Sequence, residues 1–222
     1  VSRMEKINKL QMKSILHLNE LFFELVGTHS ESGAQYDLRE DYKKRWDRFA
    51  DINDLKNNQH LVQCFYIGEE PTWNDISADE LKSATDYVKS TFPEVPIMVI
   101  EAYPALDELI IPNSVDWIGF DHYFIKDPRN DAGFKKELGI LKSKFTNQNQ
   151  KLVFVMDTHY IDFAHGDFGG IKLNEMREVA TSYYDLVKNE PKAVALIGYF
   201  WPSSFDVPQY IRACHMKLRM NT

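Results

Sequence analysis

The sequence predicts an α/β fold of the (β/α)8-barrel type, and three observations carry that expectation. Short apolar, β-branched runs alternate with helical patterns along the whole chain, the signature of βα units and a mostly parallel sheet. Six such runs recur at intervals of roughly 35 residues. Every run ends in acids, histidine, tyrosine or tryptophan, while neither a GxGxxG turn nor a P-loop occurs. A barrel that gathers its chemistry on one rim has that pattern.

Taken in order, residues 1–10 read as a helix and residues 14–18 as the first strand. Residues 31–41 are polar and aperiodic and read as a loop, followed by a helix over 42–55. The run Val62-Gln63-Cys64-Phe65-Tyr66-Ile67 suits a buried strand, and Pro71 stops it where Glu69 and Glu70 emerge. Ser77-Ala78-Asp79-Glu80 is a capping box that starts a helix over 78–92, whose Leu81, Ala84, Thr85 and Val88 share one face. Pro93 and Pro96 end it. Strands follow at 97–102, 115–121, 152–157 and 195–201, with helices at 105–110, 133–145 and 173–189 between them. The stretch 161–171, with Gly166, Gly169, Gly170 and the aromatics Phe163 and Phe168, reads as a loop able to act as a lid. There are no internal repeats.

At 222 residues the chain suits one domain with a sizeable core. Lys+Arg 26 against Asp+Glu 33 leaves a net charge of −7, which argues against nucleic acid as the partner. Two cysteines, Cys64 and Cys214, make neither a disulfide framework nor a metal motif. No apolar run reaches the ~18–20 residues that span a bilayer. The chain starts at Val1 without a signal-peptide pattern, as a processed or trimmed product would; the compartment is not legible, with secretion or the cell surface favoured on that reading.

The strand ends gather His17, Asn19 and Glu20; Glu69 and Glu70, with Trp73 close behind; Glu101 and Tyr103; Asp121, His122 and Tyr123; Asp157, His159 and Tyr160; and Trp201. His-x-His, His-Glu-x-x-His and Gly-x-Ser-x-Gly are all absent, so no metal spacing and no serine elbow is present. What remains is a carboxylate pair, the machinery of glycoside hydrolysis, working without a cofactor.

These residues resemble the C-terminal three quarters of the clan A (β/α)8 retaining glycoside hydrolases, over about residues 14–201. That clan's fourth strand ends in Asn-Glu-Pro, where this chain has Glu69-Glu70-Pro71, and its sixth often reads Val-Asp-x-Ile-Gly-x-x-x-Tyr, matched by Val115 to Tyr123. The resemblance implies that Glu70 is the acid/base, that Asp157 stands where the seventh strand presents its nucleophile, usually a glutamate, and that Trp201 floors the sugar subsite. It also implies that the first two βα units of a complete barrel have no counterpart before Ser14. The expected partner is an oligosaccharide or polysaccharide. Trp73 and Trp201 would stack on sugar faces, and Asn19, Glu69, Glu101, Asp121, His122 and His159 would meet hydroxyls, with Tyr123 steadying Asp157. Glu69, beside Glu70, would raise the pKa of the acid. The aspartate, one methylene shorter than glutamate, favours a wider carboxylate separation and hence inversion. Two other readings stand beside this one: a barrel that binds carbohydrate without cleaving it, and a metal-dependent hydrolase using His122, His159 and Asp157.

Overall fold

A computed structural model describes residues 1–199. Helix α1 (Ser2–Asn8) leads into strand β1 (Ser14–His17), then a one-turn α2 (Asn19–Phe22) and a hairpin of β2 (Phe23–Gly27) and β3 (Gln35–Leu38). Helices α3 (Tyr42–Ile52) and α4 (Leu55–Asn58) precede β4 (Val62–Glu69), α5 (Ala78–Thr91) and β5 (Ile97–Ala102). The chain continues through β6 (Trp117–Asp121), α6 (Ala132–Ser143), β7 (Lys151–Asp157), α7 (Met176–Asn189) and β8 (Ala193–Tyr199). Strand order in the main sheet is β1-β4-β5-β6-β7-β8, which keeps sequence order, and the pairs β1/β4, β4/β5 and β7/β8 are parallel. The six expected strands are therefore the six strands of this sheet.

Among the described residues two compact units divide the chain, one made of Val1–Gly119 with Ser143–Lys151, the other of Phe120–Lys142 with residues 152–199. The first is built around Trp46, which is fully buried, stands edge-on to Phe65 and Phe92 at 5.1 and 5.6 Å, and donates its indole N–H to Thr91 Oγ1 at 2.8 Å. Such aromatic pairs bury large areas and leave no polar atom unsatisfied. The expected capping box starts α5: Glu80 N–H donates to Ser77 Oγ at 3.3 Å and Ser77 N–H to Glu80 Oε2 at 3.0 Å. Leu81, Ala84, Thr85 and Val88 form its buried face. In the second unit Phe134 packs on Phe120 at 5.0 Å and edge-on to the buried Tyr183 at 5.9 Å, which fastens α6 and α7 together.

Four elements differ from the sequence reading. Part of the supposed loop 31–41 is the second strand of the β2/β3 hairpin, whose strands are short and mostly half-exposed or exposed, too brief for their pattern to stand out as a buried strand. Arg39 ties it down through Nε to the Glu20 and Phe23 carbonyls, both at 3.1 Å, and through Nη1 to Glu24 at 2.9 Å. The pattern over 105–110 yields only a 3-10 turn at Tyr103–Ala105, too few residues to repay helix nucleation. β4 runs on to Glu69, because backbone pairing with Val99 and Ile100 is indifferent to side-chain polarity. The stretch 161–171 contains a π-helix, Asp162–Phe168. Trp201 and Cys214 lie outside the described residues.

Among the described residues, no helix is long and apolar enough to cross a membrane.

Candidate functional site

In the first unit the ends of β1, β4 and β5 carry the acids. Glu69 closes β4 and is held on every side: its Oε2 accepts from the Tyr66 hydroxyl and lies 3.3 Å from His17 Nε2, its N–H donates to Asn19 Oδ1 at 3.2 Å, and its carbonyl accepts from Asn74 Nδ2 at 3.0 Å. Burial works to raise the Glu69 pKa, but the hydrogen bonds from His17 and Tyr66 outweigh it and the net direction is down. His17 moves up, chiefly through its bond to Glu69. This pair carries a compensated charge.

Glu70 follows with φ of 46°, a left-handed conformation that a glutamate adopts only under constraint. The constraint is visible: its N–H donates to the Ile100 carbonyl at 2.7 Å and its carbonyl accepts from Asn74 N–H at 2.9 Å. The turn after it is pinned from β5. Glu101, fully buried, accepts Thr72 N–H at 2.8 Å on one oxygen and Trp73 and Ala102 N–H at 3.2 and 3.0 Å on the other. Burial pushes the Glu101 carboxyl up while these donors pull it back. With no exposed surface, Glu101 is the anchor of the Glu70 turn rather than the sugar ligand expected from sequence. Trp73, half-buried, is presented by that same turn.

In the second unit the ends of β6 and β7 converge on Asp157. This residue is 4% exposed, and its Oδ2 accepts Phe124 N–H at 2.7 Å. Desolvation pushes its pKa up to about 6; the Phe124 amide, His159 and His122 pull it down, whereas the charge of Asp121 adds to the rise. Phe124 reaches that amide position with φ of 64°, a strained geometry for an aromatic residue. Gly169 makes room for it, since a Cβ there would stand 2.9 Å from the Phe124 carbonyl oxygen.

Asp121, buried, accepts the Tyr123 hydroxyl at 2.8 Å, and the Tyr123 ring lies 5.4 Å from that of Tyr199. His122 Nδ1 meets Glu137 Oε2 at 2.7 Å. His159 is half-buried, and burial lowers its pKa. Among the described residues no group of three or more His, Cys, Asp or Glu is placed to hold a metal ion. Of the three residues of the metal reading, His122 meets Glu137 and Asp157 accepts a backbone amide.

The structure brings His17, Asn19 and Glu69 together, places Glu70 on the turn anchored by Glu101, and groups Asp121, Tyr123 and Asp157 with their partners. Sequence reasoning missed Tyr66, Phe124, Glu137 and His165. Tyr66 was legible as a strand residue three before Glu69, on a side chain long enough to reach it; Phe124 left no signal, because its role is an amide at positive φ.

No protein-family model matches this chain, and no curated protein matches it. Solved structures do. A GH113 β-1,4-mannanase superposes with a TM-score of 0.58 at 11% identity, covering 90% of this chain and 68% of the mannanase. The GH113 β-mannanase of Alicyclobacillus acidocaldarius gives a TM-score of 0.52 at 12% identity, over 73% of this chain and 52% of its own. A glucosidase from Croceicoccus marinus gives 0.56 at 9% identity, over 88% and 43% respectively. The chain thus spans between about half and two thirds of the mannanases' length. At such identities the likeness shows the fold, an α/β partial (β/α)8 barrel of the kind that glycosidases use.

Proposed function

We propose that this protein is a glycoside hydrolase acting on an oligosaccharide or polysaccharide, with both units belonging to one catalytic domain. Asp157 carries the reading. A carboxylate at a strand end is taken out of water, raised to about 6, and given a backbone amide that a strained phenylalanine must supply. Perturbed carboxylates and strained backbone of this kind cluster at functional sites.

In this reading Glu70 donates a proton to the leaving glycosidic oxygen, and Asp157, ionised, attacks the anomeric carbon or activates water. The Phe124 N–H fixes one Asp157 oxygen and leaves the other for chemistry. The left-handed Glu70 turn, anchored by Glu101, fixes where the acid emerges. Trp73 and Trp201 offer stacking faces, and Asn19, Glu69, Asp121, His122, Tyr123 and His159 meet hydroxyls.

β-1,4-Mannans, named for the mannanase neighbours, are the first substrates to try, with aryl β-glycosides as reporters. Glu70→Gln and Asp157→Asn should each lower turnover at least the ~10²–10⁴-fold typical of general acid-base catalysis. Unchanged turnover in both variants removes the assignment. One observation supports a second reading, a barrel that binds carbohydrate without cleaving it: Glu69, in the place of an expected sugar-binding asparagine, is already occupied by Tyr66 and His17. Saturable mannan-oligosaccharide binding with no hydrolysis at any pH would decide for that reading.

A further inference from the structure

The π-helix Asp162–Phe168 has two faces of opposite character. Phe163 and Phe168 are 65% and 80% exposed, whereas His165 between them is fully buried. The Nδ1 atom of His165 meets the backbone of Ile161. The Ile161 carbonyl accepts the backbone N–H of His165 at 2.8 Å and of Ala164 at 3.2 Å and lies 3.2 Å from His165 Nδ1, while Ile161 N–H points at the same Nδ1 from 3.0 Å. With that carbonyl already serving two amides and Ile161 N–H the nearer partner, we assign Nδ1 as the acceptor and the ring hydrogen to Nε2. Burial keeps the ring neutral.

That Nε2 is buried, makes no hydrogen bond, and stands 3.7 Å from Asp157 Oδ2, just outside bonding reach. A desolvated N–H left without an acceptor is destabilising. The surroundings aim it: the Phe124 ring lies edge-on to His165 at 4.9 Å while the Phe124 amide holds the same Asp157 oxygen, and the Tyr160 ring covers His165 at 5.2 Å. Gly170 follows at φ of 59° with open space where a Cβ would stand, so side-chain packing does not lock the turn at that point.

We propose that His165 is a positioning residue for Asp157: a neutral imidazole whose Nε2–H closes onto Oδ2 when the carboxyl ionises, holding that oxygen and freeing the other for substrate. No proton changes owner between the two; Asp157 exchanges its proton with solvent or substrate, and the histidine only donates a hydrogen bond. The charged and titratable groups facing Asp157 are Asp121 and His122 after β6, His159 after β7, His165 on the π-helix and Tyr183 on α7. Those facing His165 are Asp157, His159 and Tyr160. The proposal takes from the functional reading only the identity of the reacting carboxylate.

The test is a carboxyl titration of the whole chain, labelled with 13C at aspartate and followed by NMR, with the Asp157 signal assigned by its loss in Asp157→Asn. His165→Phe should raise the Asp157 midpoint by about half a unit or more, about threefold in proton affinity, because the ionised form loses a donor. His165→Gln, which keeps an N–H near the same point, should return most of the shift. In the unmodified chain the 15N shifts of His165 should report the Nε2–H tautomer and respond to Asp157 ionisation. Identical midpoints in the parent chain and a folded His165→Phe, or an Nδ1–H tautomer, overturn the proposal; if His165→Phe does not fold, the tautomer measurement decides alone. Hydrolysis is a separate arm: a chain that turns over no glycoside sinks the functional reading while the titration still judges His165.

Discussion

Glu69 and Asp157 each close a parallel strand at its C-terminal end, yet the two acids are treated in opposite ways. Glu69 keeps a side chain 36% exposed and collects a phenol and an imidazole, so hydrogen bonding to the charged form wins and its pKa falls. Asp157 keeps 4% exposure and one backbone amide, so desolvation wins and its pKa climbs to about 6. The difference lies in the number of donors each carboxylate is given relative to the water it loses. One acid is stabilised as an ion; the other is kept close to the point where it can exchange a proton near neutral pH, which is what a catalytic carboxylate needs.

The sharpest way to break this contrast is to neutralise each acid in turn and read turnover. Asp157→Asn should lower hydrolysis of an aryl glycoside by at least the ~10²-fold floor of acid-base catalysis, whereas Glu69→Gln should cost less than Asp157→Asn on the same substrate. Equal losses would dissolve the distinction.

The pH dependence of stability separates them next. Asp157 has a folded pKa near 6 against 3.8 for the free group, so the folded chain holds this proton more tightly. Its contribution is therefore fully favourable below pH 3.8 and is lost as pH rises to 6 and beyond. Asp157→Asn should then stabilise the protein at pH 7.5, by up to about 3 kcal/mol, with the gain vanishing towards pH 4. Thermal melts of both proteins across that range check it; a constant difference would mean that Asp157 is not the group titrating.

The support of Asp157 offers a third test. Gly169→Ala pushes a methyl to 2.9 Å from the Phe124 carbonyl, and overpacking of that kind costs about 1–3 kcal/mol. Denaturant unfolding should show the loss, with Asp157-dependent turnover falling further than stability alone explains, because the Phe124 amide moves.

The smallest effect belongs to Glu69. Its pairing with His17 involves two side chains each more than a third exposed, and such pairs contribute about 0–1 kcal/mol. Glu69 with its lowered pKa adds stability that is lost as pH falls through its folded value; His17 with its raised pKa adds stability that is lost as pH rises through its own. The contribution of the pair therefore peaks between the free values of 4.5 and 6.5. Melts of His17→Gln should lie closest to the parent outside that window.

The sequence by itself determined the order of the six main-sheet strands and of the long helices between them, because alternation of apolar runs with 3.6-residue patterns is a local property: Val62-Gln63-Cys64-Phe65 reads as a strand and Ser77 with Glu80 as a helix cap from local pattern alone. It also placed Glu70 and Asp157 at strand ends. What the tertiary structure alone decided is the state of each acid. Nothing in Glu69-Glu70-Pro71 foretells that His17 and Tyr66 will converge on the first glutamate and Glu101 on the turn behind the second. Nothing local foretells that Phe124 will twist to positive φ to donate an amide, or that His165, 8 residues beyond Asp157, will return to within 3.7 Å of it. A carboxylate's pKa is set by the donors and the water within a few ångströms, and those neighbours are fixed by contacts distant along the chain rather than by adjacent residues.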